Sequence, residues 1–359
     1  MKRNILNLAS NVVFVKGYFK NLLIDLQNDC WYHIGFKLET ETDIENIDNE
    51  SLNYMLKENM IFEIPKNIRK NLIPLNLEYD SPNIIENAII DRSLKSEYSI
   101  RRAIDFLNQY KVKHIQIRWF DKFLIEDLDI VLEMTELSSV ESIDLLLPFD
   151  SLYENILDRK KKFLKISAII FHSISLDEKP HNFGFKEVIF TPESILSANN
   201  CGQISPYFFT RNKGHVLKAM KYNSCLFKKI SVDHKGNIKN CPSMNSAIGN
   251  ITNVINIKES DLQTEFWNIS KDEIKVCQDC EFRYVCNDCR AFTDNKDDKF
   301  SRPLKCGYNP YISKWETEKG FQSLNECGVI YTENGFSINH EKIAKINALL
   351  WSEEEVDAE

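Results

Sequence analysis

The stretch that decides the reading runs from Cys225 to Cys306. It begins C225-LFKKISVDHK-G236-NIKN-C241-P and continues through the IGNI of residues 248–251. After a gap come C277-QD-C280-EFRYV-C286-ND-C289 and, last, K305-C306-G307. Seven of the chain's ten cysteines fall in this segment. A CxxC pair sets two thiolates on one tight turn, close enough to share a metal ion or a cluster, and tetrahedral zinc and iron–sulfur centres both use such pairs. Two pairs five residues apart, with three further cysteines around them, make a strong metal-binding pattern. A disulfide framework is not expected, because no signal peptide is recognisable and the thiols are crowded together.

The spacing resembles the SPASM domain, the C-terminal module of radical SAM enzymes that modify peptides and proteins. Its pattern is C-x(9–15)-G-x(4)-C, a gap, C-x(2)-C-x(5)-C-x(3)-C, a gap, and C. This chain gives C225-x(10)-G236-x(4)-C241, C277-x(2)-C280-x(5)-C286-x(2)-C289 and C306, one residue short before Cys289. The hairpin-like SVDHKGNIKNCP and the Gly249-Asn250 dipeptide are further marks of the resemblance, which covers roughly residues 220 to 312. It implies two 4Fe-4S clusters, one held by Cys277, Cys280, Cys286 and Cys306 and the other by Cys225, Cys241 and Cys289. The second of these sets lacks an eighth cysteine. The window KAMKYNS before Cys225 offers no Cys, His or carboxylate, which leaves Cys201, His215 or an open iron position.

Composition sets the bounds around this core. With 359 residues, 43% hydrophobic and 27% charged, the chain suits two or three globular domains. A net charge of -8 argues against a nucleic-acid footprint. No run of eighteen apolar residues predicts a membrane span. The N-terminal MKRNILNLASN is basic, with an apolar part too short for a signal peptide, so the clustered free thiols point to the reducing cytoplasm.

Residues 1–72 read as a small α+β module. Residues 12–34 predict two strands with a Gly17 turn; Leu52, Met55 and Leu56 share one helical face; MIFEIP returns as a strand ending at Pro65. The outline resembles a winged-helix, PqqD-type element, which implies recognition of a leader peptide added as an edge strand. Deleting residues 1–72 is the corresponding test. Residues 73–215 alternate strands and helices: helix SIRRAIDFLNQY, strand KHIQIRWF, helix LIEDLDIVLEMTELSS, strand VESIDLLLPF, helix LYENILDRKKKFLK, strands ISAIIFHSI and KEVIFTPES. That alternation predicts parallel strands with helical crossovers. Residues 216–315 form the cysteine-rich region and 316–359 a C-terminal extension. The fold class expected is α/β, a degenerate partial (β/α) barrel between a winged-helix-like α+β module and a SPASM domain.

Radical SAM chemistry needs a CxxxCxxC triad after the first barrel strand, and residues 1–200 hold one cysteine, Cys30. The Gly-Gly-Glu segment that positions SAM is missing as well, so no SAM cleavage is expected. A SPASM pattern without the triad resembles the maturases of grasp-with-SPASM systems, which implies partnership with an ATP-grasp ligase and a ribosomally made precursor peptide. The alternatives are a redox enzyme using an open-site cluster on the peptide, and a structural zinc protein. No GxSxG, Walker A or GxGxxG sequence appears. His114 and His172 read as packed or hydrogen-bonded, Cys30 as a buried apolar-like residue, RKKK at 159–162 as a solvated helix face, and Arg118 as an inward-facing strand residue. Arg283 is expected to donate to cluster sulfurs.

Overall fold

A computed structural model describes residues 4–34, 49–178, 180, 184–253, 256–262, 265–332 and 335–352. The chain is mixed α/β and divides into two compact units. The first comprises residues 1–80, 203–224 and 268–359, and the second residues 81–202 and 225–267. This division runs across the segments read from the sequence, because each unit is assembled from separated stretches of chain.

The second unit is built on one eight-stranded sheet, mostly parallel. Strands β6 (Asn87–Arg92), β7 (His114–Trp119), β8 (Ser142–Pro148), β9 (Ile166–His172) and β10 (Val188–Phe190) lie side by side in chain order. Helices α2 (Ile100–Gln109), α3 (Ile125–Glu136) and α4 (Tyr153–Lys162) make the crossovers between the first four. The strands are parallel, with Ile90 beside Ile117 and Ile117 beside Leu145. Their apolar runs are buried, as strands covered by helices require. Ser99 caps α2, its hydroxyl accepting from the Arg102 amide, and Ala103, Ile104 and Leu107 face inward.

The central strand β6 was not among the strands expected from the sequence. Its short apolar run Ala88–Ile90 is buried, and its free edge takes β11 (Lys229–Val232) in parallel. A hairpin then leads to β12 (Asn237–Lys239), and β13 (Gly249–Asn250) closes the sheet. The expected SVDHKGNIKNCP hairpin is therefore present, and it extends the parallel sheet.

In the first unit, β1 (Asn4–Leu8) pairs antiparallel with β5 (Ile61–Pro65). The stretch 12–34 forms three strands rather than the two expected: β2 (Val12–Val15), β3 (Asn21–Asp25) and β4 (Cys30–Ile34). The extra turn falls at residues 26–29, where the Asp25 carboxylate accepts from the amides of Gln27 and Asn28 and from the side chains of Asn11 and Asn28. At Gly17 the chain doubles back so tightly that a Cβ would stand 2.1 Å from the Lys20 carbonyl oxygen.

β3 is buried on both faces, and alternate side chains serve two cores. Leu23 meets Met55, Met60 and Ile61, with Leu52 and Leu56 of helix α1 (Asn49–Lys57) packed against them. Leu22 and Ile24 join Val13 and Val15 against Phe282, Val285 and Tyr308 of the cysteine-rich stretch. Each such side chain stabilises the unit by about 1.5–3 kcal/mol. Further along, β16 (Val329–Thr332) pairs with β17 (Gly335–Ile338), and α8 (His340–Leu350) contributes Ile343 to a third core with Val276 and Tyr311. Among the described residues no helix is long and apolar enough to cross a membrane.

Candidate metal centre

Four of the expected ligands converge in the first unit. The chain enters the first CxxC through Val276, whose φ of 69° is unusual for a β-branched residue and is held by burial in the third core. Residues Cys277–Asp279 make a single 3-10 turn, closed by the Cys280 amide donating to the Cys277 carbonyl at 3.0 Å. A second turn, Cys286 amide to Phe282 carbonyl at 3.0 Å, presents Cys286. Cys306 arrives from the loop before Gly307, bridged to Ile204. Cys277, Cys280, Cys286 and Cys306 line one small cavity of about 30 Å³, together with Lys271 and Arg302.

With no cation bound, burial holds the thiols of this cavity in their protonated form. Burial pushes Cys277 up to about 12, and the neighbouring sulfurs of Cys306 and Cys286 add to the rise. Burial also raises Cys280 well above an ordinary thiol, helped by Glu281, and raises Cys286. Against this stands one buried ammonium. Lys271 Nζ donates to Cys286 Sγ at 2.7 Å. Burial works against its charge, but Cys286, Cys277 and Asp288 outweigh that and hold it above the ordinary lysine value. A metal centre would supply further positive charge among the sulfurs, releasing the thiol protons as it binds. The donor set therefore fits a thiolate-bound centre.

Among the described residues, no three His, Cys, Asp or Glu side chains converge closely enough to hold a single metal ion. Ligands 2.3 Å from one zinc ion would stand about 3.8 Å apart.

The other three expected ligands are divided between the units. Cys289 is buried in the first, between Asp288 and Arg290, which pair at 2.5 Å. Cys225 and Cys241 belong to the second, on either side of the β11–β12 hairpin. The turn between these strands explains the glycine of the spacing. Gly236 has φ +81°, and a Cβ there would meet Ile251 Cγ2 at 3.0 Å. Asp233 clamps the same turn by accepting from the amides of Lys235 and Asn237. The Gly249-Asn250 dipeptide is β13 itself, and Asn250 Nδ2 donates back to the Lys235 carbonyl.

Comparison of the chain with protein-family models finds no match, and comparison with curated proteins finds no similar sequence. The site therefore rests on its own geometry and chemistry.

Several side chains take roles that the sequence did not announce. Arg283 borders the cavity, but its guanidinium donates to Asp272 at 2.7 Å and to the carbonyls of Lys16 and Cys280; its described hydrogen bonds do not reach sulfur. The sulfur donor is Lys271, which carries no sequence signal beyond lying six residues before Cys277. Glu281, directly after Cys280, is fully buried and accepts from Tyr308 and from Ser313. Burial pushes its carboxyl up to about 7.

In the second unit, Arg118 makes a two-point ion pair with Asp91 at 2.7 and 2.9 Å. Both sit at the C-terminal ends of parallel strands and both are buried. His172 is buried and bonded to the Trp119 carbonyl and the Ser173 hydroxyl, and His114 is bonded to Ser142. Both are hydrogen-bonded, as expected. Of the 159–162 run, Arg159 pairs with Asp129 and Lys161 with Asp158 at half-exposed sites, while Lys160 turns back onto the carbonyls of residues 166 and 167. Cys30 is half-buried, its thiol 3.3 Å from the Tyr32 hydroxyl.

Proposed function

We propose that this chain is an iron–sulfur protein of SPASM type that acts in the maturation of a ribosomally synthesised peptide. It binds or presents the precursor to an ATP-grasp ligase and does not cleave SAM. The observation that carries the reading is the convergence of Cys277, Cys280, Cys286 and Cys306 on one buried cavity. The Gly236 turn and its tie to Asn250 supply a physical reason for the rest of the spacing. The in-order parallel strands β6 to β10 are consistent with a degenerate partial (β/α) barrel, and the β1–β5 pair with α1 and the β2–β4 meander with a winged-helix-like module.

In this reading the residues present divide the work plainly. The four thiols of the first unit hold a 4Fe-4S cluster, which stabilises a loop-rich region in the way structural metals do. Lys271 fixes the charge beside Cys286, and Val276 and Phe282 keep water away.

The test is ligation of a candidate precursor peptide by an ATP-grasp enzyme, with and without the iron-loaded chain. A faster reaction in its presence supports the reading. A rate independent of the chain, with no measurable binding of the precursor, overturns it.

A further inference from the structure

A second group of thiols lies within the second unit, and it includes one that the spacing pattern leaves out. Cys225 and Cys241 flank the β11–β12 hairpin, while Cys201 comes from the loop after β10. Beside Cys225 lies the half-buried Lys229, whose Nζ donates to Cys225 Sγ at 3.2 Å. The Cys201 amide donates to the Ala198 carbonyl at 3.1 Å. The Arg118 guanidinium feels the same two sulfurs, Cys201 and Cys241, after its own partner Asp91.

The turn that leads into Cys201 is tied to the Cys241 loop by one hydrogen bond. The single turn Ala198–Asn200 directly before it is capped by the Ser197 hydroxyl. Its Ala198 carbonyl accepts from the hydroxyl of Ser243 at 2.9 Å, two residues beyond Cys241. The loop bearing Cys201 is thus fastened to the loop bearing Cys241. His215, the other side chain that the sequence offered, lies on the helix Lys213–Ala219 of the first unit.

We propose that Cys201 is a metal-ligating thiolate that joins Cys225 and Cys241 in holding an iron–sulfur centre. It stands 24 positions before Cys225, outside the C-x(10)-G-x(4)-C spacing, and the fold brings it back. Each thiol gives up its proton as its sulfur binds iron. The assignment rests on the iron–sulfur reading above.

The experiment loads the full-length protein with ferrous iron and sulfide without oxygen. It compares the wild type with Cys201→Ser, Cys225→Ser, the double variant and Cys30→Ser. Cys201→Ser and Cys225→Ser should each lose about half of the iron and sulfide, one four-iron centre of two. The double variant should lose no more than either single change, and Cys30→Ser should load fully. A measurement on unaltered protein covers misfolding of the variants: alkylation of each thiol, mapped by mass spectrometry before and after loading. Cys201 should become protected together with Cys225 and Cys241, while labelling of Cys30 stays the same. Wild-type iron in Cys201→Ser with an unchanged paramagnetic spectrum, or a Cys201 equally reactive before and after loading, overturns the assignment alone. A wild type that takes up no iron overturns the iron–sulfur reading and this assignment with it.

Discussion

Lys271 sets its ammonium 2.7 Å from the sulfur of Cys286, with both side chains shut away from water. A cation in that position stabilises whichever state of the site carries more negative charge, and in an iron–sulfur centre that is the reduced one. Lys271→Met keeps most of the volume and removes the charge. The loaded variant is expected to have a lower reduction potential than the wild type, read by a titration followed with electron paramagnetic resonance. An unchanged potential would mean that Lys271 is not near the centre.

Glu281 gives a pH dependence with a definite sign. Its carboxyl is raised from 4.5 to about 7 by burial, so the folded state holds a proton that the unfolded state has lost over that interval. Its contribution to stability is fully present below pH 4.5 and is lost as pH rises towards 7, on the order of 3 kcal/mol in all. Glu281→Gln removes the dependence. Denaturant unfolding of metal-free, reduced protein at pH 5 and pH 8 should show the variant gaining on the wild type as pH rises.

Gly236→Ala tests the hairpin. The residue sits in the left-handed region, and a Cβ would press on Ile251 at 3.0 Å. The conformation alone costs an alanine about 1–2 kcal/mol. Unfolding by denaturant should show a loss of that size, and iron content should fall if Cys241 is displaced.

Asp91 and Arg118 form a buried pair whose value lies in its being complete. Asp91→Asn leaves the Arg118 charge uncompensated and should cost about 3–5 kcal/mol, whereas Asp91→Leu with Arg118→Met should recover much of that. Thermal unfolding of the two variants distinguishes a structural pair from one that only tunes the nearby thiols.

The helices and strands of residues 99–194 were legible because their periodicity is strong and each element is long. β6 was missed because Ala88-Ile89-Ile90 is too short a run to stand out, although it sits at the centre of the sheet. The turn at residues 26–29 was missed because its signal is one aspartate accepting four hydrogen bonds, which spacing alone does not reveal. The cysteine pattern pointed to the four thiols of the first cavity. It could not point to Lys271, since a lysine between cysteines reads as solvent-facing until the fold buries it.

The packing also changes how recognition should be tested. Val13, Val15, Leu22 and Ile24 share a core with Phe282 and Val285, so deleting residues 1–72 would open that core beside Cys286. Loss of peptide binding after such a deletion would report unfolding. Point changes on the exposed face of α1, such as Tyr54→Ala, leave the core intact and separate the two effects.

The most direct test of the central claim is the iron, sulfide and zinc content of protein purified without oxygen, with electron paramagnetic resonance after reduction. Two four-iron centres predict about eight irons per chain with matching sulfide and the signal of reduced clusters. Zinc without sulfide, or no metal at all, would contradict the account.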